Sequence, residues 1–484
     1  MTVLLETRAD ITLDAVDRVA WRGEDVDISR AALERMAECR DAFEALLESD
    51  PDLVVYGVTS GAGDGASLRL SPEQRLSQAR RPPGAGASFG TPLPERVVRA
   101  IVLARLANYL EGHAAVRPVV AQAVAAMLDG RRLPRVPLQG NGGAGEVLAL
   151  SHLFMHIGEQ IELREKEGMA LINGSPCAAA LVADAALAAR NRLRLAVEIF
   201  ALSVEAFKAP LEAYSAPLEV LWGDEHETAA LRDLRALLKG ANPERRSYQA
   251  PVSYRILPRV LGQAYRALAA AEKAAEISLR SVTDNPVFIP PDDEHPHGAV
   301  FSTGGYHNGQ AYPALDALAA AWTDLCLLAE RHCDKIGAEV MAWAREGLVP
   351  TLDQARRTSI FGMVQPAYWA EAQHAAQRTF LARGVAGQND VLLPTFFAWD
   401  KEREAGACLD AALAMLAGVA SQALYVTGRE ATPPLRGLLA AVREEFPPIE
   451  ELRPLGLDGE RLTAAFTARV YAPDRAPESR SRYL

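Results

Sequence analysis

Between Ala311 and Arg345, apolar side chains return after four positions and then after three. Leu315, Ala319, Trp322, Cys326, Ala329, Cys333, Ile336 and Val340 all obey this alternation. The spacing predicts one unbroken helix whose apolar seam packs against other long helices. Two more stretches read as long helices. "AALAARNRLRLAVEIFALSVEAFKA" stops before Pro210, and "PRVLGQAYRALAAAEKAAEISLRSV" runs into the turn "TDNPVFIPPDDEHPHG". The first hundred residues differ, because short helical patterns there alternate with turn-rich stretches such as "YGVTSGAGDGAS" and "RRPPGAGASFGTPLP". The expectation is a mainly α fold, with a loop-rich N-terminal domain over residues 1–205 mounted on a bundle of very long helices over residues 206–484. Seams of that length predict a homo-oligomer. No tandem repeat of fixed period and no low-complexity segment interrupts the pattern.

Composition narrows the picture. Of 484 residues, 49% are apolar and only 6% aromatic, which suits a large alanine- and leucine-rich helical core. A formal charge of -11 argues against nucleic acid or an anionic membrane as partner. The N-terminal "MTVLLETRADITLDA" lacks the basic-then-apolar order of a signal peptide. The late apolar stretch "AALAMLAGVASQALYV" includes Ser421 and Gln422 and reads as too short to span a bilayer. A soluble, cytoplasmic protein is expected. The five cysteines are scattered singly, without ligand spacing, so neither a disulfide framework nor a metal site is expected. Cys326 and Cys333 lie on the long seam and read as core residues.

The densest glycine cluster is "QGNGGAGEVLALSHLF", residues 139 to 154. Gly140, Gly142 and Gly145 satisfy the G-x-G-x-x-G spacing and open a helix, which would suit a dinucleotide site. The context argues otherwise. The preceding "RLPRVPLQ" has two prolines and poor strand character, no βαβ alternation follows, and no GK[ST] is present for a P-loop.

The motifs around this loop supply a second reading. In order along the chain stand "VVYGVTSGAG", "RRPPGAG", "HAAVRPVV", the glycine loop, "GMALINGSP", "SYRILPRVLG", "TDNP", "STGGYHNGQ" and "FGMVQ". From about residue 10 to residue 430 this set resembles the histidine and phenylalanine ammonia-lyase family, which includes tyrosine lyases and aminomutases. The resemblance implies a mainly α, ammonia-lyase-like fold and a homotetramer with active sites built from several subunits. It also implies an Ala-Ser-Gly triplet that cyclises to 4-methylidene-imidazol-5-one (MIO), the electrophile of the family. Here the triplet position reads Gly143-Ala144-Gly145. Alanine has no β-leaving group, so the methylidene cannot form, and the expectation is an enzyme without MIO or any other cofactor.

Other positions carry over one by one. Tyr56 matches the family's mobile tyrosine, which removes the proton β to the substrate carboxylate. Arg255 matches the arginine that clamps that carboxylate, a bidentate, charge-assisted contact. Asn173 matches the asparagine that helps hold the same end. The departures are as informative. Arg81, preceded by Arg80, replaces a histidine of the distal side-chain pocket and suits an anionic or hydrogen-bond-accepting substrate group. Tyr306 stands where the family has an asparagine that supports the electrophile, Pro176 where it has a glutamine, and Val252 where it has an assisting tyrosine. Asp400 falls near a family glutamate. The electrophile and its supports have changed together, while the proton-abstracting and carboxylate-holding ends match. The set predicts a lyase-like enzyme that acts on a small carboxylate, an amino acid or derivative, by elimination, addition or cyclisation, or isomerisation. The alternatives are a catalytically silent homologue that binds a small acid or a partner, and a conventional aromatic amino acid ammonia-lyase or aminomutase.

Overall fold

A computed structural model describes residues 2–80, 86–130, 132–345, 359–385, 387–451 and 453–473. Its first long element begins at Ser29, whose hydroxyl accepts from the Ala32 amide and opens helix α1, Arg30–Ser49. The buried face of α1 is Ala32, Met36, Cys39 and Phe43, and Phe43 meets Phe288 edge-on at 5.5 Å. Helix α2, Glu95–Leu106, is buried without a break from Val97 onward, two arginines included.

Helices α3, Val147–Phe154, and α4, Glu167–Ile172, are short and lead into α5, Pro176–Ala206. Proline is tolerated at the first position of α5 because no intrahelical partner is needed there. Most of α5 is alanine, leucine or valine buried on all sides, as a core helix requires. Helix α6, Leu257–Arg280, buries Leu257, Leu261, Ala264, Leu268, Ala271 and Ala275 on one stripe. Helix α7, Ala311–Arg345, has the predicted bounds, and Asn308 caps it by accepting from the Gln310 and Ala311 amides. Its seam from Leu315 to Ile336 is at most 3% exposed, so Cys326 and Cys333 are core residues. Helix α8, Thr395–Val426, is 32 residues long.

One sequence expectation needs correction. The segments Glu167–Ala206 and Thr395–Val426 are both long and apolar enough to cross a bilayer. However, 100% and 94% of their most apolar windows are buried within the protein, so they are core helices here. The apolar stretch looked short because the charged residues at 400–404 belong to the same helix.

The chain groups into two compact units, each discontinuous in sequence. One comprises Met1–Leu187, Ala271–Ala314 and Thr379–Trp399; the other comprises Ala188–Ala270, Leu315–Arg378 and Asp400–Leu484. Both unit boundaries near residues 187 and 314 fall inside long helices, so a division at residue 205 does not coincide with them. The first unit also contains three strand pairs that hydrophobic patterning did not predict. Thr2–Leu5 pairs in parallel with Asp25–Ile28, while Val287–Ile289 with Ala299–Phe301 and Ala382–Arg383 with Val391–Leu392 are antiparallel. In the second unit Arg192 of α5 is wholly buried and pairs with Asp410 of α8 at 2.8 Å.

Candidate active site

In the first unit the glycine loop takes a backbone course that side chains resist. Gly140, Gly143 and Gly145 have φ of 75°, 151° and 73°, and Glu146 follows at 57°. A β-carbon at Gly145 would stand 3.0 Å from Asn173 Oδ1, and one at Gly142 would stand 3.3 Å from Leu392. Among the described residues the Gly142 and Gly143 amides donate to no partner. Gly142 is exposed, and Gly143 and Ala144 are half-buried. The loop therefore presents amide N–H groups and one methyl group.

Glu146 holds the far end of the loop. Its two carboxylate oxygens accept from the Cys177 amide at 2.6 Å and the Ala178 amide at 2.7 Å, capping α5 from a distant part of the chain. Burial pushes the Glu146 carboxyl up to about 7, against the pull of those amides. A second tie joins the Gly174 amide to Gly145 O at 3.2 Å. Asn173 is thus placed against Gly145. It is 6% exposed, its Oδ1 has no partner among the described residues, and its carbonyl accepts from Arg105 Nη1 at 2.5 Å.

Tyr56 lies in the same unit, half-buried in a turn held by Thr59, which accepts from the Val55 amide and donates to Leu53 O. The Tyr56 hydroxyl oxygen accepts from the Gly63 amide at 2.8 Å. Gly57, next to it, has φ 69°, and a β-carbon there would meet Met169 Cγ at 2.9 Å. The inner loop is therefore seated on α4, the helix that ends at Asn173. Tyr306 is half-buried in the turn that precedes α7, between the strand Ala299–Phe301 and the Asn308 cap. His307 beside it is pulled below the ordinary histidine range by burial.

Arg255 belongs to the second unit, at the end of the helical turn Val252–Arg255. Its Nε donates to Ala250 O at 2.9 Å, and the Gln249 amide, turned oxygen-inward, accepts from Nη2 at 2.8 Å. No protein carboxylate pairs with it among the described residues, so its charge is uncompensated there. Arg81 lies outside the described residues. Pro176 begins α5, Val252 is 58% exposed, and Asp400 pairs with Arg403 at 2.7 Å.

Four participants carry no local signal in the sequence. Glu146 shows only as an acid after a glycine run, and its partners lie on another helix. Arg105 sits in an apolar helical pattern and carries no local signal. Lys166 and Asp284 form a wholly buried pair at 2.5 Å, and burial pulls the Lys166 ammonium down. The pair ties the start of α4 to the "TDNP" turn, whose Thr283 and Asp284 amides both donate to Asn108 Oδ1. Among the described residues no cluster of His, Cys, Asp or Glu could hold a metal ion.

Comparison with known proteins matches residues 11–160 and 156–444 to the family described as aromatic amino acid lyase. The histidine ammonia-lyase of Symbiobacterium thermophilum is 29% identical over 497 residues, covering 95% of each chain. Among solved structures, the ergothioneine-degrading ergothionase of Treponema denticola superposes with a TM-score of 0.84 at 19% identity, over 97% of this chain and 99% of its own. The tyrosine aminomutase of Streptomyces globisporus superposes with a TM-score of 0.80 at 23% identity, over 97% and 98%.

Proposed function

The chain belongs to the aromatic amino acid lyase family, and from that premise we propose an enzyme that works without the MIO electrophile. Its substrate is a small carboxylate, an amino acid or a derivative of one, and its reaction is elimination, the reverse addition or cyclisation, or isomerisation. One observation carries the proposal: the side chain at the centre of the glycine loop is the methyl group of Ala144. Cyclisation there would leave no exocyclic methylidene, so the residues present do not fit the group, and no step is routed through it.

The remaining parts are apt for proton transfer next to a carboxylate. Arg255, without a protein counter-ion among the described residues, binds the carboxylate in bidentate fashion. Asn173, whose Oδ1 has no partner among the described residues, carries over as a second group for that end, in an active site that the family resemblance builds from several subunits. Tyr56 takes the proton β to the carboxylate, which leaves negative charge to be stabilised. The Gly142 and Gly143 amides, which donate to no partner among the described residues, serve that charge as an oxyanion hole. A simple amine is a poor leaving group without the methylidene, so the departing group is a better one, or the substrate is already unsaturated. The same fold serves an ergothioneine-degrading enzyme. Arg81 favours a substrate with an anionic or hydrogen-bond-accepting side chain, and Tyr306 replaces the electrophile's support with a second phenol. The assembly we propose is a cytoplasmic homotetramer.

The test is untargeted mass spectrometry of a metabolite extract incubated in D₂O with the wild-type protein or with Tyr56→Phe. The expected result is a compound that gains or loses a small molecule, or takes up deuterium, with wild type alone. No difference between the two across a broad extract would sink the enzymatic reading and favour a silent, acid-binding homologue.

A further inference from the structure

Arg255 is the end of a four-residue turn, so its position depends on what holds the turn. The preceding residue, Tyr254, is 1% exposed and its ring has a flat neighbour on two sides. His332 of α7 stacks on it at 3.7 Å with planes 6° apart, and Phe207 stacks on it at 4.4 Å and 17°. The Arg246 guanidinium lies 3.9 Å from the Phe207 ring centre and 4.9 Å from that of Tyr248. These groups form a continuous column within one compact unit. The backbone is tied as well, because Tyr214 Oη donates to Tyr254 O at 2.8 Å.

The bottom of the column is anchored at Ser203. The Ser203 hydroxyl lies 2.7 Å from Phe200 O and 2.8 Å from His332 Nδ1, so it bridges the α5 backbone to the histidine ring. Phe200 packs edge-on against the ring at 5.2 Å. Burial keeps it neutral by pulling its pKa down to about 3. A neutral flat ring can stack closely on Tyr254 without bringing a second charge near Arg255.

Arginine has many rotamers, and a clamp that must be ordered at binding loses affinity. Adjacent Cα atoms are joined at fixed distance, so the Arg255 Cα follows any displacement of Tyr254. We propose that the His332–Tyr254–Phe207 column is the seat of the carboxylate clamp, which makes His332 and Tyr254 positioning residues for Arg255. The inference rests on the reading of Arg255 as the carboxylate-binding residue.

The experiment uses the full-length protein and phenylglyoxal, which modifies guanidinium groups, with peptide mass spectrometry to follow Arg255 itself. The probe is 3-phenylpropionate, titrated for protection of Arg255 in wild type, His332→Phe, His332→Leu, Tyr254→Phe and Tyr254→Leu. His332→Asn is added because it keeps a hydrogen-bonding group for Ser203 while removing the ring, should the leucine variants fail to fold. The Phe variants keep the stack and are expected to be protected like wild type. The Leu and Asn variants are expected to need about tenfold more acid, or more, for half-protection, since small misplacements of a binding group weaken it steeply. Variants that melt earlier yet keep the wild-type half-protection concentration would overturn the positioning role while leaving the clamp intact. Absence of protection in wild type itself would overturn the reading of Arg255, and the column's role with it.

Discussion

Glu146 is pulled in two directions. Burial raises its carboxyl from 4.5 to about 7, while the Cys177 and Ala178 amides favour the charged form. Because the folded value lies above the unfolded one, the folded chain holds the extra proton between them. The contribution of this group to stability therefore declines as pH rises from about 4.5 to about 7 and is level above that. Urea midpoints across this range are expected to fall more steeply with pH for wild type than for Glu146→Gln. His332 has the opposite sign. Its folded value of about 3 lies below the ordinary 6.5, so stability is lost as pH falls through that interval, and His332→Asn should remove the acid-side slope. At Gly143, a β-carbon would touch nothing, but φ of 151° is a conformation that alanine resists. Gly143→Ala is expected to cost about 1–3 kcal/mol in thermal or urea unfolding, from backbone strain alone. The motifs around Tyr56, Asn173 and Arg255 were visible in the sequence because each is short and local. Glu146 and Arg105 were not, since their partners are distant in the chain and no local pattern announces them.

Among the elements, α7 was legible because its four-three seam is uninterrupted, and from Leu315 to Ile336 that seam is buried. Helix α8 was legible only in its later half. Its earlier part carries Asp400, Lys401, Glu402 and Arg403, which look like a surface segment until their partners are seen. Glu402 is buried and accepts from Trp322 Nε1 at 2.7 Å, and Arg192 Nη1 lies 3.7 Å from it. The strand pairs, two to four residues each, are too short to show alternation. The Arg192–Asp410 pair links α5 to α8 with both side chains at most 1% exposed. Replacing the arginine by methionine strands two buried carboxylates, so Arg192→Met is expected to cost about 3–5 kcal/mol in equilibrium unfolding. A β-carbon at Gly406 would stand 2.6 Å from Arg192 Cζ, and Gly406→Ala is expected to cost about 1–3 kcal/mol by the same measurement.

For the molecule as a whole, the family and its mainly α fold were legible because nine motifs keep their order over most of the chain. The grouping into two discontinuous units was not, since the helices that cross the unit boundaries have no break in their pattern. Several large apolar side chains lie open in the single chain, among them Val220 at 87%, Leu221 at 76% and Met363 at 82%. Their burial in a homotetramer fits the assembly proposed above, and sedimentation of wild type is expected to give a tetramer, with Leu221→Asp shifted toward smaller species. The central claim is that this scaffold acts without the MIO electrophile. The most direct measurement is the intact mass of the same preparation that shows Tyr56-dependent turnover. The account predicts a polypeptide that has lost no water around Ala144, together with turnover abolished by Tyr56→Phe. Turnover that survives Tyr56→Phe, or turnover accompanied by a covalent mass change on the peptide containing Gly143 to Gly145, would contradict it.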